Sequence, residues 1–278
     1  MLKRESNLAP RLTGHTEING HNLLWEIYGT ETGANIVLLH HGLGSIRSWK
    51  RQIPVLIEKG YNVLAYDRWG YGGSDPRSSF EAYFLHHEAE EAVCLLQNLG
   101  IQQASFIGHS DGGSIAIILA ARYPEIVQSL MLIAAHIYVE PKMAKGLGLI
   151  KMASQQPPFR TALEREHGDR YHTLVQSWLD CWIRHGPQTL NLVDELKGIN
   201  CPTLVIQGMK DEHATPQHAK DLAAGIDKSS LWLIPEVGHM PPQEYSTEFN
   251  LRMIQFLEKN HALQTPLKQP GSGREDVQ

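Results

Sequence analysis

Ala104-Ser105-Phe106-Ile107-Gly108-His109-Ser110-Asp111-Gly112-Gly113-Ser114-Ile115-Ala116-Ile117 is the stretch on which the fold turns. Ala104–Ile107 reads as a buried strand, and the small-residue run from Ser114 reads as a helix. Between them, Gly108-His109-Ser110-Asp111-Gly112 forms a turn so tight that only glycine tolerates the backbone approach at its two ends. Ser110 is thereby expected in a strained, exposed position above the strand end. A helix N-terminus lies beneath it, where dipole and free N–H groups favour developing negative charge. The bare pattern Gly-x-Ser-x-Gly is common. The flanking strand and helix, with the extra Gly113, make it specific.

Working outward, residues 13–29 read as a hairpin around the turn Asn19-Gly20. Short Val/Ile/Leu runs follow at Asn35–His41, Asn62–Asp67, Ala104–His109, Ser129–Ala134, Pro202–Gln207 and Ser230–Pro235. They lack strict alternation, as strands buried on both faces do. Helical periodicity fills the gaps at Trp49–Lys59, Phe80–Leu99, Gly112–Arg122, His218–Ala224 and Thr247–Asn260, with Gly stops after Lys59 and Leu99. The fold class is therefore α/β: a mostly parallel sheet of about eight strands with helices on both faces.

The rhythm breaks between His136 and Asn200, where amphipathic stretches replace strands. The best is Tyr171–His185, with Leu174, Trp178, Cys181 and Trp182 on one face. We expect a core of residues 1–135 and 198–263, a helical cap over residues 136–197, and a disordered tail at Gln264–Gln278, which is rich in Pro, Gly, Ser and charge.

Composition narrows the function. With 278 residues, 42% hydrophobic, 20% charged and a net charge of -5, the chain is an ordinary globular one without the basic footprint of a nucleic-acid binder. No apolar run reaches the ~18 residues of a membrane span, and no secretory leader is visible at the start. Cys94, Cys181 and Cys201 are widely spaced and odd in number, which argues for reduced thiols in a cytoplasmic protein and against a disulfide frame or zinc site. Oligomeric state leaves no mark on the sequence.

A serine hydroxyl needs a base, and the base needs an orienting acid. His239, in Glu236-Val237-Gly238-His239-Met240, follows the last expected strand. Asp211, in Gly208-Met209-Lys210-Asp211-Glu212, follows the strand before it. Both then sit at the carboxyl edge of the sheet with Ser110. Glu212 is the other candidate for the acid; the distance past the strand favours Asp211. An oxyanion needs two converging N–H groups. Asp111 supplies one, and Leu43, between Gly42 and Gly44 in the loop after the first parallel strand, supplies the other. Trp178, Trp182, Tyr138 and His136 either line an apolar pocket or form the packing face of the cap, and packing is the commoner case. Gly70-Tyr71-Gly72-Gly73 lacks a dinucleotide fingerprint. His86-His87-Glu88 lacks a second metal-spaced histidine and reads as a solvated helix face.

The chain resembles the α/β-hydrolase superfamily over nearly its whole length. The resemblance is carried by His41-Gly42-Leu43-Gly44-Ser45 with Trp49, Asp67-Arg68-Trp69-Gly70-Tyr71-Gly72-Gly73-Ser74, Gly108–Gly113, Gly208–Asp211 and Gly238-His239. Gly-His-Ser-Asp-Gly-Gly followed by Ala-Ala-Arg-Tyr-Pro-Glu is most similar to the biphenyl-hydrolase-like group, which includes valacyclovir hydrolase. His109 departs from it, since valacyclovir hydrolase has a tryptophan there, and the cap sequence is not shared. The resemblance implies a serine esterase without metal or cofactor, acting on small-molecule esters. It also implies that the Asp111 side chain holds a substrate amino group; with the pocket reading of the cap, substrate contacts are expected at Asp111, His136, Trp178 and Trp182. Local hydrogen bonding is the other reading of Asp111. Hydrolysis of carbon–carbon bonds in aryl dienoates, peptidase action on N-terminal residues, and small-molecule binding without turnover remain alternatives. An acidic Asp111 speaks against the first.

Overall fold

The computed structural model describes residues 9–261, so Gln264–Gln278 lies outside the described residues. Elements are numbered in chain order: β1 (Leu12–Ile18), β2 (His21–Gly29), β3 (Asn35–Leu39), α1 (Ile53–Glu58), β4 (Asn62–Tyr66), α2 (Phe84–Asn98), β5 (Ala104–His109), α3 (Asp111–Arg122) and β6 (Val127–Ile133). Then follow α4 (Pro141–Ala153), α5 (Phe159–His167), α6 (Tyr171–Thr189), β7 (Thr203–Gly208), α7 (Pro216–Ala224), β8 (Ser229–Ile234), α8 (Pro241–Glu244) and α9 (Ser246–His261).

The strands form one eight-stranded sheet in the order β1-β2-β4-β3-β5-β6-β7-β8. β1 and β2 form an antiparallel hairpin across Asn19-Gly20, both with positive φ, and β2 pairs antiparallel with β4. Every pairing from β4 to β8 is parallel. Strand order reverses at β3, which lies between β4 and β5, and a crevice opens there beyond the strand carboxyl ends.

Two apolar layers sandwich the sheet. Val37, Phe106, Leu130 and Leu132 point to one layer, with α2, α3 and Leu222 of α7. Ile36, Leu38, Ile107 and Met131 point to the other, with Leu56 of α1 and Phe249, Met253 and Leu257 of α9. Successive strand residues thus alternate between two buried faces, which is why the strand sequences show no polar alternation.

Two helix starts differ from their periodicity. The expected helix Trp49–Lys59 is a short 3-10 turn at Ile46–Trp49, capped by Ser45, followed by α1 from Ile53. Pro54 lacks the N–H that a continuous helix would need, and its ring would clash with the Lys50 carbonyl. α2 begins at Phe84 and not Phe80, because Tyr83 has φ +67°, a left-handed conformation that interrupts the helix. The Gly60 and Gly100 stops do have positive φ, with Tyr61 N–H to Leu56 O at 3.2 Å and Ile101 N–H to Leu96 O at 2.9 Å closing the helix ends.

The expected solvated face at His86-His87-Glu88 is also corrected. His87 is exposed, but Glu88 is buried between Arg68 and Arg77, paired to Arg68 Nη1 and, at 3.0 Å, to Arg77 Nη1. Arg77 lies over the Phe80 ring and Arg68 over the Tyr71 ring, and these aromatic covers exclude water from the charges. None of the three cysteines forms a disulfide, and no helix among the described residues is long and apolar enough to cross a membrane.

Removing one member of this buried cluster strands the others. Glu88→Ala is expected to cost about 3–5 kcal/mol of unfolding free energy, read from the urea midpoint. A loss below about 1 kcal/mol would mean the two arginines find other partners.

Candidate active site

The site is assembled from the carboxyl ends of four strands. Ser110 follows β5 with φ +54° and ψ -117°, a conformation costing on the order of 1–3 kcal/mol for a residue with a side chain. Its N–H is tied to Ile133 O at 2.8 Å, and its carbonyl accepts from Gly113 N–H at 2.8 Å and Ser114 N–H at 3.0 Å. Close contact makes the flanking glycines necessary. A Cβ on Gly112 would stand 2.2 Å from Leu39 O, and one on Gly108 would stand 2.3 Å from Gly112 O.

The fold brings Ser110, His239 and Asp211 into one chain of hydrogen bonds. His239 Nε2 lies 3.1 Å from Ser110 Oγ, and Nδ1 lies 2.8 Å from Asp211 Oδ2. Asp211 also accepts from Gln207 Nε2, from His213 N–H at 2.7 Å and from Ala214 N–H at 3.2 Å. Burial disfavours its charge, but the His239 charge and hydrogen bond outweigh this, and its carboxyl is held well below the usual range. An ionised Asp211 assigns the proton on Nδ1 to His239 and leaves Nε2 to accept from the Ser110 hydroxyl. For His239 burial pulls downward, and Asp211 more than compensates, leaving the imidazole more basic than usual. Glu212 does not reach the imidazole; its Oε2 accepts instead from the His239 N–H at 3.3 Å.

Several supports for His239 are invisible in local sequence. His109 Nε2 donates to the His239 carbonyl at 2.8 Å. Glu244 accepts from Gly238 N–H at 2.8 Å and Met240 N–H at 2.9 Å, clasping the loop on both sides of the imidazole. The His213 ring meets the His239 ring edge-on at 4.5 Å. A glycine before the histidine signals only a loop free to turn; the fold reveals what fixes it.

Leu43, in the loop after β3, is buried with φ +62°, and it faces the crevice with the N-terminus of α3. The Leu43 and Asp111 N–H groups donate to no turn or loop carbonyl among the described residues. Asp111 Oδ2 accepts from Trp178 Nε1 at 2.8 Å and lies 3.9 Å from Arg68 Nη2. Burial raises its carboxyl to about 6, against the lowering influence of Arg68 and then of the Trp178 hydrogen bond. Asp111 thus accepts a hydrogen bond from within the protein and also borders the cavity, so both readings of its side chain stay open.

A cavity of about 550 Å³ opens above Ser110. His136, Trp178 and Trp182 line it, as do Met143, Leu147, Ile150 and Phe159 from α4 and the start of α5. Tyr138, considered for the same role, turns away: its hydroxyl donates to Asp221 Oδ2 at 2.7 Å and its ring packs on His218. Among the described residues, the carboxylates in the lining are Asp111 and Glu212, and no lysine or arginine joins them. No cluster of three or more metal-ligating side chains occurs among the described residues.

The fold has known counterparts. Residues 35–159 match the family described as alpha/beta hydrolase fold. The human protein named serine hydrolase BPHL is 31% identical over 250 residues, covering 87% of this chain and 84% of its own. Among solved structures, an esterase from Exiguobacterium antarcticum superposes with a TM-score of 0.73 at 20% identity, covering 89% of this chain and 100% of its own. The enol-lactonase from Burkholderia xenovorans LB400 does so with a TM-score of 0.74 at 22% identity, covering 88% and 99%. The chain belongs to the alpha/beta hydrolase family, and it is a hydrolase by that membership.

Trp178→Phe keeps the ring in place and removes the N–H that Asp111 accepts. The expected cost is about 1–3 kcal/mol in thermal unfolding, because a buried carboxylate loses a donor. The Asp111 carboxyl should then titrate higher than in the parent, measurable by carbon-detected NMR; a lower or unchanged value would show that Trp178 does not hold it.

Proposed function

We propose that the protein is a serine hydrolase that cleaves small carboxylic esters through an acyl-enzyme on Ser110. The observation that carries this reading is the Ser110–His239–Asp211 hydrogen-bond chain opening into an apolar cavity. Ser110 Oγ attacks the ester carbonyl carbon as its proton passes to His239 Nε2. Asp211 stabilises the imidazolium, and the Leu43 and Asp111 N–H groups receive the oxyanion. Collapse of the tetrahedral species expels the alcohol, which takes the proton from His239. Water, deprotonated by His239, then releases the acid and restores Ser110. No metal or organic cofactor takes part in this sequence.

The cavity also orders the substrates. Among the described residues its lining carries carboxylates and no lysine or arginine, which favours neutral or cationic esters. An aryl dienoate, itself an anion, would meet Asp111 and Glu212, so carbon–carbon bond hydrolysis is the weaker alternative. Amino-acid esters are the second reading, supported by the same two carboxylates. An activated α-amino-acid ester and its N-acetylated form, compared on one preparation, test it. A strong preference for the free amine supports the amino-acid reading; equal or reversed rates remove it and leave neutral esters.

Ser110→Ala should abolish turnover with the fold retained, and full activity in that variant would end the hydrolase reading. Asp211→Asn should lower kcat by about 10⁴, whereas Glu212→Gln should stay within about threefold.

The pH profile has a definite sign. A protonated His239 cannot take the Ser110 proton, so kcat/KM should fall as pH drops, with a midpoint above 6.5, the ordinary histidine value. Asp211→Asn withdraws the charge that raises the midpoint, so its residual activity should persist to lower pH. A shift in the other direction would contradict the pairing.

A further inference from the structure

The Leu43 turn is held by more than its own residues. Gly44 N–H donates to His41 O at 3.0 Å, and His41 Nδ1 lies 2.7 Å from Gly42 O. The Leu43 carbonyl meets a residue 124 positions away: His167 Nε2, at the end of α5, lies 2.9 Å from it. The other ring nitrogen, His167 Nδ1, lies 3.0 Å from Gly72 N. A backbone N–H can only donate, so Nδ1 is the bare nitrogen and the ring proton sits on Nε2, pointing at Leu43 O. His167 is buried, and burial lowers its basicity, in keeping with a neutral ring that accepts on one side and donates on the other.

The consequence lies in the backbone. The Leu43–Gly44 peptide is pinned at both ends, its N–H by His41 O and its C=O by His167. Leucine rarely adopts φ +62°, so this turn has a strained residue at its centre that could relax by rotating its peptides. The Leu43 N–H belongs to the preceding Gly42–Leu43 peptide, whose carbonyl meets His41 Nδ1, so a change of φ at Leu43 that the His167 bond resists would turn that N–H out of the crevice. Neighbours of His167 fasten the same region: Glu166 accepts from the Ser45 hydroxyl, and Arg170 donates to Gly72 O at 2.6 Å and Ser74 O at 2.9 Å.

We propose that His167 is a positioning residue for the oxyanion site, holding the strained Leu43 turn so that its N–H faces the tetrahedral intermediate. The inference rests on the serine-hydrolase reading and on Leu43 as an oxyanion donor. It makes the segment between β6 and β7 a working part of the reaction centre as well as a wall of the cavity, because α5 supplies the group that orients a backbone donor on the β3 loop.

Three variants separate the ring's two duties. His167→Asn keeps an acceptor near Gly72 and loses the donor to Leu43. His167→Gln keeps a donor near Leu43 and loses the acceptor. Arg170→Ala removes two bonds from the same segment to the 72–74 loop without touching Leu43. The assays are steady-state ester hydrolysis, the rate of Ser110 labelling by a fluorophosphonate, and the melting temperature. His167→Asn should lower kcat and the labelling rate by about 10- to 100-fold with KM changed less than about threefold, somewhat less than outright loss of an oxyanion donor. His167→Gln and Arg170→Ala should remain within about fivefold of the parent even where their melting temperatures fall as far.

Parent-like kcat and labelling in a folded His167→Asn would overturn the proposal. So would equal losses in all three variants that track the melting temperature, since that pattern belongs to a purely structural contact. A parent protein that neither turns over esters nor labels at Ser110 would instead sink the hydrolase reading on which the proposal stands. A parent that labels but cleaves no ester tried leaves the labelling rates to decide His167 alone.

Discussion

Three backbones touch at one point, and the site depends on it. The turn after β5 presses Gly112 against the carbonyls of Leu39 and His40 at the end of β3, while Gly108 lies against the Gly112 carbonyl. No side chain fits anywhere in that contact. It forces Ser110 into its positive-φ conformation and sets the N-terminus of α3 beside the Leu43 loop. Because β3 is where strand order reverses, the two loops that must meet diverge to opposite sides of the sheet below the site and share a crevice above it.

Charge beneath that contact falls to the buried Arg68, which shares Glu88 with Arg77. Arg68 pairs with Glu88, donates to His41 O at 3.1 Å, and stands 3.9 Å from Asp111. It thus reaches both the loop bearing Leu43 and the carboxylate of Asp111. In the proposed mechanism a carboxylate here would oppose the developing oxyanion, and Arg68 from below and Trp178 from the side would temper that repulsion. Part of the neutralising cation that a substrate ammonium group would bring is therefore built into the protein.

Much of this is legible in the chain. Strands buried on both faces leave continuous Val/Ile/Leu runs, so β3 to β8 can be found, and glycines at the turn after β5 mark a contact that only they permit. Ser110, His239 and Asp211 are found by their distance past strand ends, which the sheet converts into proximity. What escapes depends on partners distant in sequence. Glu88 looks like part of a solvated face until α2 docks it against Arg68 and Arg77. Trp178 looks like packing until its indole meets Asp111, and nothing around His167 reveals that Leu43 lies at its tip. Tyr83 delays the start of α2 through one left-handed φ that no periodicity records. Local pattern encodes which face is buried; it does not encode which polar atom waits there.

Ser110 and His239 are 129 residues apart, and His239 follows the strand that closes the sheet edge. Chain order places the turn after β5 ahead of His239 during synthesis. Until β8 has paired with β7 and carried its loop over β5, Ser110 has no partner to accept its proton. The unfinished chain therefore carries a Ser110 hydroxyl without its imidazole partner, and the chemistry proposed for it waits on the completion of the sheet.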